Sequence, residues 1–175
     1  MEPIIPPVDR ELLRAELTPV RKARDTKKAG NEIYIFPASE CPALMREIGR
    51  LREIAFRGAG GGTGREVDID AEDLAEDGYY QLIVWYPAAG EIVGGYRFII
   101  CTDEYPRHLS TEHYFRFSDK FRRKYLPRTI ELGRSFVQPS YQARGNAKSI
   151  YALDNLWDGL GALIVLDPNA KYLFG

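Results

Sequence analysis

A strand, a turn of small residues and a helix follow one another between Ile130 and Gly161, and this order constrains the fold more than any other stretch. The run from Ile130 to Val137 is short, apolar and aromatic. Pro139 lacks the backbone donor that a continuing strand needs, so the pattern predicts a strand that ends there. From Ile150 onward, apolar residues recur at alternating intervals of three and four, which predicts a helix with one core-facing stripe. The stripe consists of Ile150, Leu153, Trp157, Leu160 and Ile164.

The turn between this strand and this helix has the composition of an anion site. Small residues let the backbone approach a ligand closely, and the first N–H groups of a helix have no carbonyl partners, so a diphosphate fits here. Arg144 and Lys148 would add countercharge. The turn reads Gln142-Ala143-Arg144-Gly145-Asn146-Ala147-Lys148.

The turn resembles the coenzyme A pyrophosphate loop of the GCN5-related N-acetyltransferases (GNAT), because Gln142-x-x-Gly145-x-Ala147 follows the pattern Gln/Arg-x-x-Gly-x-Gly/Ala. Glu131-x-x-Arg134 on the preceding strand extends the resemblance to the hemolysin-like N-acyltransferases that make ornithine and glycine lipids, relatives of the acyl-homoserine-lactone synthases. This similarity runs from about residue 51 to residue 175. It implies an α/β (α+β) fold, a mixed and mostly antiparallel sheet flanked by helices, in a domain over residues 31–175 that follows an extension of residues 1–30.

The resemblance also implies the co-substrate. No cofactor would be tightly bound, and an acyl-phosphopantetheine thioester on acyl carrier protein or coenzyme A would lie along the strand, with its phosphates in the turn. The cofactor-binding residues implied are Phe136, Val137, Gln142, Arg144, Gly145, Asn146, Ala147 and Lys148.

On the acceptor side, the synthase branch has an Arg-x-x-x-Phe helix, an Asp-x-x-Asp pair and a Gly-x-Arg strand. The substrate-binding residues implied here are Arg52, Phe56, Asp70, Asp73 and Arg97. A tryptophan expected in the loop of that branch is absent, which favours the lipid-forming relatives. The acidic run from Glu66 to Asp73 is equally typical of a solvated face or a helix cap.

Acyl transfer from a thioester to an amine requires a base for the ammonium and no metal or covalent intermediate. Glu131 is the candidate base, and Arg134 either orients it or pairs, with Arg97, with an acceptor carboxylate. In a regular strand Glu131 and Arg134 would point to opposite faces, so we expect a bulge at Gly133 to bring them to one side. A buried structural ion pair is the alternative role.

Further elements follow from periodicity and turn residues. A glycine-rich segment, Gly58–Gly64, follows a helix and lacks a closing Gly-Lys-Ser/Thr, so it predicts a mobile loop that orders over substrate instead of a nucleotide loop. The run Pro87–Gly90 joins two β-rich segments and predicts an antiparallel hairpin. The predicted strands are Glu32–Phe36, Tyr79–Tyr86, Glu91–Cys101 and Lys171–Phe174, and the predicted helix is Ala43–Phe56.

Composition excludes several classes of protein. The 175 residues, 45% hydrophobic content and net charge of −1 suit one core, and they argue against nucleic acid as a partner. The absence of a long apolar run and of a secretory signal pattern favours a cytoplasmic location. Cys41, Cys101, His108 and His113 lack metal-type spacing, so no metal site is expected.

Two basic segments bear on partners. The segment from Tyr105 to Arg128 interleaves cations with aromatic residues, which suits docking of an acidic acyl carrier protein or a solvated amphipathic helix. The run from Arg21 to Lys28 suits an acidic carrier, an anionic membrane surface or a solvated linker.

The resemblance implies N-acylation of an amino acid such as glycine or ornithine by a 3-hydroxyacyl donor, in lipid biosynthesis. Two alternatives remain: a short-chain acetyl-coenzyme A transferase, and a fragment that only binds acyl carrier protein. In the second, the domain is truncated after the start of its fifth strand, and the edge of Lys171–Phe174 would pair with another chain.

Overall fold

A computed structural model describes residues 1–102, 109–142 and 149–175. The described residues form one sheet of six strands that lie side by side in chain order. Neighbouring strands pair antiparallel except the last two, which run parallel. The strands are β1 (Lys22–Asp25), β2 (Glu32–Pro37), β3 (Tyr80–Tyr86), β4 (Glu91–Ile100), β5 (Thr129–Val137) and β6 (Tyr172–Phe174).

Helices cover both faces of the sheet, as the sequence predicts. One face packs on the long second helix, and its core includes Leu44, Ile48, Ile83 and Phe136. The other face packs on the last helix, and its core includes Leu82, Ile130 and Leu163. The helices are α1 (Arg10–Glu16), α2 (Pro42–Gly58), α3 (Ala71–Leu74) and α4 (Ala152–Leu166). Among the described residues, no helix combines the length and apolar character needed to cross a bilayer.

The predicted core stripe of α4 is wrong. Ile150, Leu153 and Trp157 are 68%, 63% and 70% exposed, and Ile164 is also exposed. The buried face holds Ala152, Asn155, Leu156, Gly159, Ala162 and Leu163 instead. Small residues on this face let the helix approach β3 and β4 closely: a Cβ at Gly159 would lie 2.8 Å from a methyl of Leu82. Close packing of the backbone, and not the number of apolar side chains, therefore selects the face.

The glycine-rich segment after α2 is folded, contrary to the predicted mobile loop. The buried carboxylate of Glu53 accepts hydrogen bonds from both backbone N–H groups of Thr63 and Gly64, at 2.9 and 2.8 Å. Gly60 and Gly64 adopt φ values of 84° and 80°, which glycine reaches without strain. The segment also binds the N-terminal arm, because Glu2 N–H donates to the Gly64 carbonyl. The glycines thus serve a tight fold and not disorder.

Part of the first thirty residues belongs to the sheet. The basic run from Arg21 to Lys28, for which a carrier contact, a membrane contact and a linker were left open, contains β1, which pairs with β2 through Lys22, Arg24 and Asp25. At the opposite edge, β6 pairs with β5, and no strand lies on its other side within the part of the chain that the structure describes. The strand predicted as the fifth is therefore the sixth. The predicted antiparallel hairpin of β3 and β4 is confirmed.

Candidate active site

A cavity of about 490 Å³ lies between the C-terminal half of β5 and the start of α4. Three residues predicted to hold the co-substrate, Phe136, Val137 and Gln142, line it. The Gln142 side-chain amide donates to the Val137 carbonyl at 2.5 Å, which ties the start of the turn to the strand. The remaining lining residues are Ser135, Tyr141, Ala152, Leu153 and Leu156. The other predicted phosphate-binding residues, Arg144, Gly145, Asn146, Ala147 and Lys148, lie outside the described residues.

A β-bulge interrupts β5 next to this cavity. Gly95 pairs with Phe136, and Arg97 pairs with Gly133, so that Arg134 and Ser135 together oppose the single residue Tyr96. The left-handed backbone of the bulge belongs to Arg134, with φ of 51°, and not to Gly133. The predicted bulge is therefore confirmed, one residue further along the strand.

The bulge brings Glu131 and Arg134 into one polar network on the α2 face of the sheet. The Ser110 hydroxyl lies 3.5 Å from Glu131 and 3.1 Å from Arg97. Arg97 and Arg134 in turn share Asp70, at 2.8 and 3.4 Å. Glu131 and Arg134, the two predicted catalytic residues, thus belong to one connected network of charged and polar side chains.

Glu131 is enclosed by donors. The side chain is buried, and it accepts hydrogen bonds from the Tyr79 hydroxyl at 2.6 Å and the Thr111 N–H at 2.9 Å. Burial and the hydrogen bond to Glu131 raise the pKa of Tyr79 well above its ordinary value. These donors leave further acceptor sites on the two carboxylate oxygens, and the role of Glu131 as a base stays a prediction.

A cluster of opposite charges surrounds the predicted acceptor side. Arg52 and Asp73 are fully buried and pair at 3.1 Å, and Gln81 accepts from the second nitrogen of Arg52 at 2.6 Å. Arg97 contacts Asp70, Glu72 and Asp73 at 2.8, 3.0 and 3.3 Å. The predicted residues Arg52, Asp70, Asp73 and Arg97 are therefore brought together. Phe56, by contrast, is half-buried and packs against the α2 core.

The acidic run caps a helix, which is one of the roles that the sequence left open, and its contact with substrate stays a prediction. Asp70 caps α3 by accepting from the Asp73 N–H at 2.9 Å, and Asp73 accepts from the Asp70 N–H in return. Burial alone would raise the pKa of Asp70, but the charges of Arg97 and Arg134 and the hydrogen bonds from Asp73 N–H and Arg97 together outweigh burial and hold that pKa below its ordinary value. Asp70 is therefore both a helix cap and an ionised partner of the arginines.

The cations of the cluster differ in exposure. Arg97 is 3% exposed and its guanidinium stacks on the Tyr79 ring, 4.4 Å from the centroid. Arg134 is 32% exposed, and its acidic neighbour Asp70 is 29% exposed. Of the three arginines of the cluster, Arg134 is the one that a ligand in solvent can contact directly.

Sequence patterns missed several members of this site. Asp68 and Glu72 stand in the same acidic run as the predicted aspartates. Acidic residues occupy every second position from 68 to 72, and this alternation was the signal available in the sequence. Tyr79 and Ser110 had none, because they are joined to Glu131 only by the fold. His113, whose ring lies 2.6 Å from Glu72, was considered only as a metal ligand.

Comparison with known proteins decides the family. Residues 51–152, more than half of the chain, match the family model for the acetyltransferase (GNAT) domain. The chain belongs to the GNAT family. The sheet of six strands flanked by helices in this GNAT domain agrees with that assignment, and the predicted fold is confirmed.

Two proteins named glycine N(alpha)-acyltransferase are similar to this GNAT domain. The one from Bacteroides thetaiotaomicron is 58% identical and the one from Phocaeicola vulgatus 53% identical, both over all of this chain. The chain spans about half the length of these relatives, 54% and 56% respectively.

Solved structures give more distant matches. An acyl-CoA N-acyltransferase from Pseudomonas aeruginosa is 18% identical, with 82% of this chain and 77% of that chain covered and a TM-score of 0.45. An aminoglycoside acetyltransferase from an uncultured soil sample is 19% identical, with 83% and 78% covered and the same TM-score of 0.45.

Proposed function

We propose that this GNAT domain moves a fatty acyl group from a phosphopantetheine thioester to the α-amine of glycine or a similar amino acid such as ornithine. The observation that carries the proposal is the bulge of β5. Ser135 lines the cavity, while the adjacent Arg134 reaches Asp68 and Asp70 on the acceptor side. A thioester in the cavity and an amino acid at Arg134 would therefore meet at one point of the strand. The names of the two similar proteins from Bacteroides thetaiotaomicron and Phocaeicola vulgatus support glycine as acceptor.

The acceptor would bind as a zwitterion at the exposed rim of the charged cluster. Its carboxylate suits the guanidinium of Arg134, because planar bidentate pairing is the strength of arginine. Its ammonium suits the partly exposed carboxylate of Asp70, 3.4 Å from Arg134. Arg52, Arg97 and Asp73, which are buried, would hold this rim in place without touching the substrate.

The reaction needs the ammonium to lose a proton before its nitrogen attacks the thioester carbonyl. The tetrahedral intermediate then expels the pantetheine sulfur, and the remaining extra proton on the nitrogen passes to that sulfur, so that an amide and a thiol are the products. Glu131, which accepts from the Tyr79 hydroxyl and the Thr111 N–H, is the proposed base for the first proton, directly or through water. Arg134 contributes binding and orientation of the acceptor.

Acyl carrier protein is the proposed donor and coenzyme A the second choice. The segment before β5 presents exposed cations at Arg116, Lys120 and Lys124, a surface that suits an acidic carrier. Two of its aromatic residues, Phe117 and Phe121, pack against Phe174 of β6, whereas Tyr114 and Phe115 are exposed. We also propose membership of the hemolysin-like branch, a place in lipid biosynthesis and a cytoplasmic location with peripheral membrane contact.

The test is an acylation assay with the full-length protein and labelled glycine. Acyl carrier protein and coenzyme A carrying the same long acyl chain, and acetyl-coenzyme A, are supplied separately, and products are identified by mass spectrometry. We expect N-acylglycine from a long-chain donor. Product from acetyl-coenzyme A alone would favour the short-chain transferase. Binding of acyl carrier protein without any product would favour the non-catalytic alternative and overturn the proposal.

A further inference from the structure

Asp68 is a buried carboxylate that no part of the proposed chemistry has used. Its side chain is 2% exposed, and its Oδ2 atom has no hydrogen-bond partner among the described residues. The backbone holds it firmly: the Asp68 N–H donates to the Gly49 carbonyl of α2 at 2.9 Å. The next residue packs tightly there, since a Cβ at Gly49 would lie 2.6 Å from the Ile69 side chain. Asp68 is therefore a carboxyl group held in a fixed position under α2.

The contact of Asp68 is with Arg134, whose Nη1 atom lies 3.2 Å from Oδ2. The second terminal nitrogen of the same guanidinium faces Asp70 at 3.4 Å. Burial raises the pKa of Asp68, and the positive charge of Arg134 opposes this. Asp68 and Asp70 thus each contact one terminal nitrogen of the guanidinium, while about a third of the Arg134 side chain stays exposed.

Arg134 is a strained residue. A non-glycine residue at φ of 51° is uncommon, and such a conformation persists only where its surroundings hold it. The next residue, Ser135, lines the donor cavity. A strained arginine that is fixed by a buried carboxylate beside a cavity has the features of a pre-organised recognition group.

We propose that Asp68 is a positioning and specificity-determining residue, which aims Arg134 so that its exposed edge receives the carboxylate of the amino-acid acceptor. This inference rests on the proposed function and deepens it. Asp68 itself does not touch the substrate. Removal of its charge would free the guanidinium of Arg134 from its fixed position. The acceptor carboxylate would then lose its binding partner, while the acceptor amine and the acyl donor would keep their binding partners.

The test compares glycine with glycinamide, which keeps the amine but lacks the carboxylate. In the full-length protein, Asp68→Asn preserves shape and removes the charge. We expect the KM for glycine to rise about tenfold and the kcat/KM ratio of glycine to glycinamide to fall by the same factor, which corresponds to ~1.4 kcal/mol. Asp77→Asn, at an exposed aspartate just beyond α3, is the matched control and should leave the ratio unchanged.

Arg134→Gln provides a second route, which changes the partly exposed member of the pair and leaves Asp68 itself in place. It should lower the same ratio, and combining it with Asp68→Asn should add little, because both changes remove one recognition unit. Equal losses for glycine and glycinamide in either variant would overturn the inference while the proposed function stands. A wild-type protein that acylates neither acceptor with any donor would overturn the proposed function, and the inference with it.

Discussion

Replacing Glu53 with Gln tests how the glycine-rich segment after α2 is held. The carboxylate is fully buried and accepts from the Thr63 hydroxyl at 2.7 Å, from two backbone N–H groups at 2.9 and 2.8 Å, and from Arg57 at 2.9 Å. Burial alone would raise the pKa of Glu53. The hydrogen bonds from Thr63, Gly64 and Arg57 outweigh burial and lower the pKa from 4.5 to about 2.

The magnitude follows from that pKa. One pKa unit corresponds to about 1.4 kcal/mol, so the ionised carboxylate stabilises the folded state by roughly 3 kcal/mol at neutral pH. Because the folded-state pKa is lowered, this contribution is complete above about pH 4.5 and is lost as the pH falls through about 2. Glutamine keeps the shape but presents an amide to donors, so Glu53→Gln should cost about 2–3 kcal/mol at pH 7.

The assay is urea denaturation of wild type and variant at several pH values between 7 and the acid limit of the fold. We expect the difference in free energy of unfolding to shrink as the pH falls below about 4.5. Glu76→Gln, at an exposed glutamate, is the control and should change stability little. A variant as stable as wild type at pH 7, or a difference that does not change with pH, would refute the account of the loop.

Four further substitutions test the rest of the structure. Gly159→Ala should lower the free energy of unfolding by about 1–3 kcal/mol, because the added methyl meets the β3 side chain beneath α4; an unchanged denaturation midpoint would contradict that contact. Trp157→Gln, at a side chain 70% exposed, should change stability by less than about 0.5 kcal/mol, whereas Leu163→Ala, at one 1% exposed, should cost about 2–5 kcal/mol. A larger loss of stability for Trp157→Gln than for Leu163→Ala would instead support the predicted stripe as the core-facing side of α4. Glu131→Gln should lower kcat for N-acylglycine formation about a hundredfold if Glu131 is the base, and full activity in the acylation assay would exclude it.

Sequence patterns predicted the elements that depend on local residues. Hydrophobic alternation and turn residues predicted β2, β3, β4 and β5 to within one or two residues at either end, because each pattern is confined to a single strand. The expected bulge also followed from local arithmetic, since Glu131 and Arg134 are three residues apart.

The buried face of α4 did not follow from sequence. Residues 150–164, which include most of α4, contain two sets of side chains at helical spacing. One set is rich in large apolar residues, and the other contains Gly159 and Ala162. Periodicity identified the larger set, but the sheet beneath admits only the smaller one. The sequence of a helix does not show how closely the helix must pack against the neighbouring sheet.

The sequence by itself thus determined the order of strands β2 to β6 and of helices α2 and α4, the family and the residues that could carry charge to the site, but it predicted neither β1 nor α3. Only the tertiary structure decided which of these charged side chains form ion pairs with one another and which remain exposed. Asp70 and Arg134 are 64 positions apart, and Glu53 binds a loop that also binds the N-terminal arm. Local patterns contain no information about such contacts, because burial and pairing depend on which distant segments the sheet brings together.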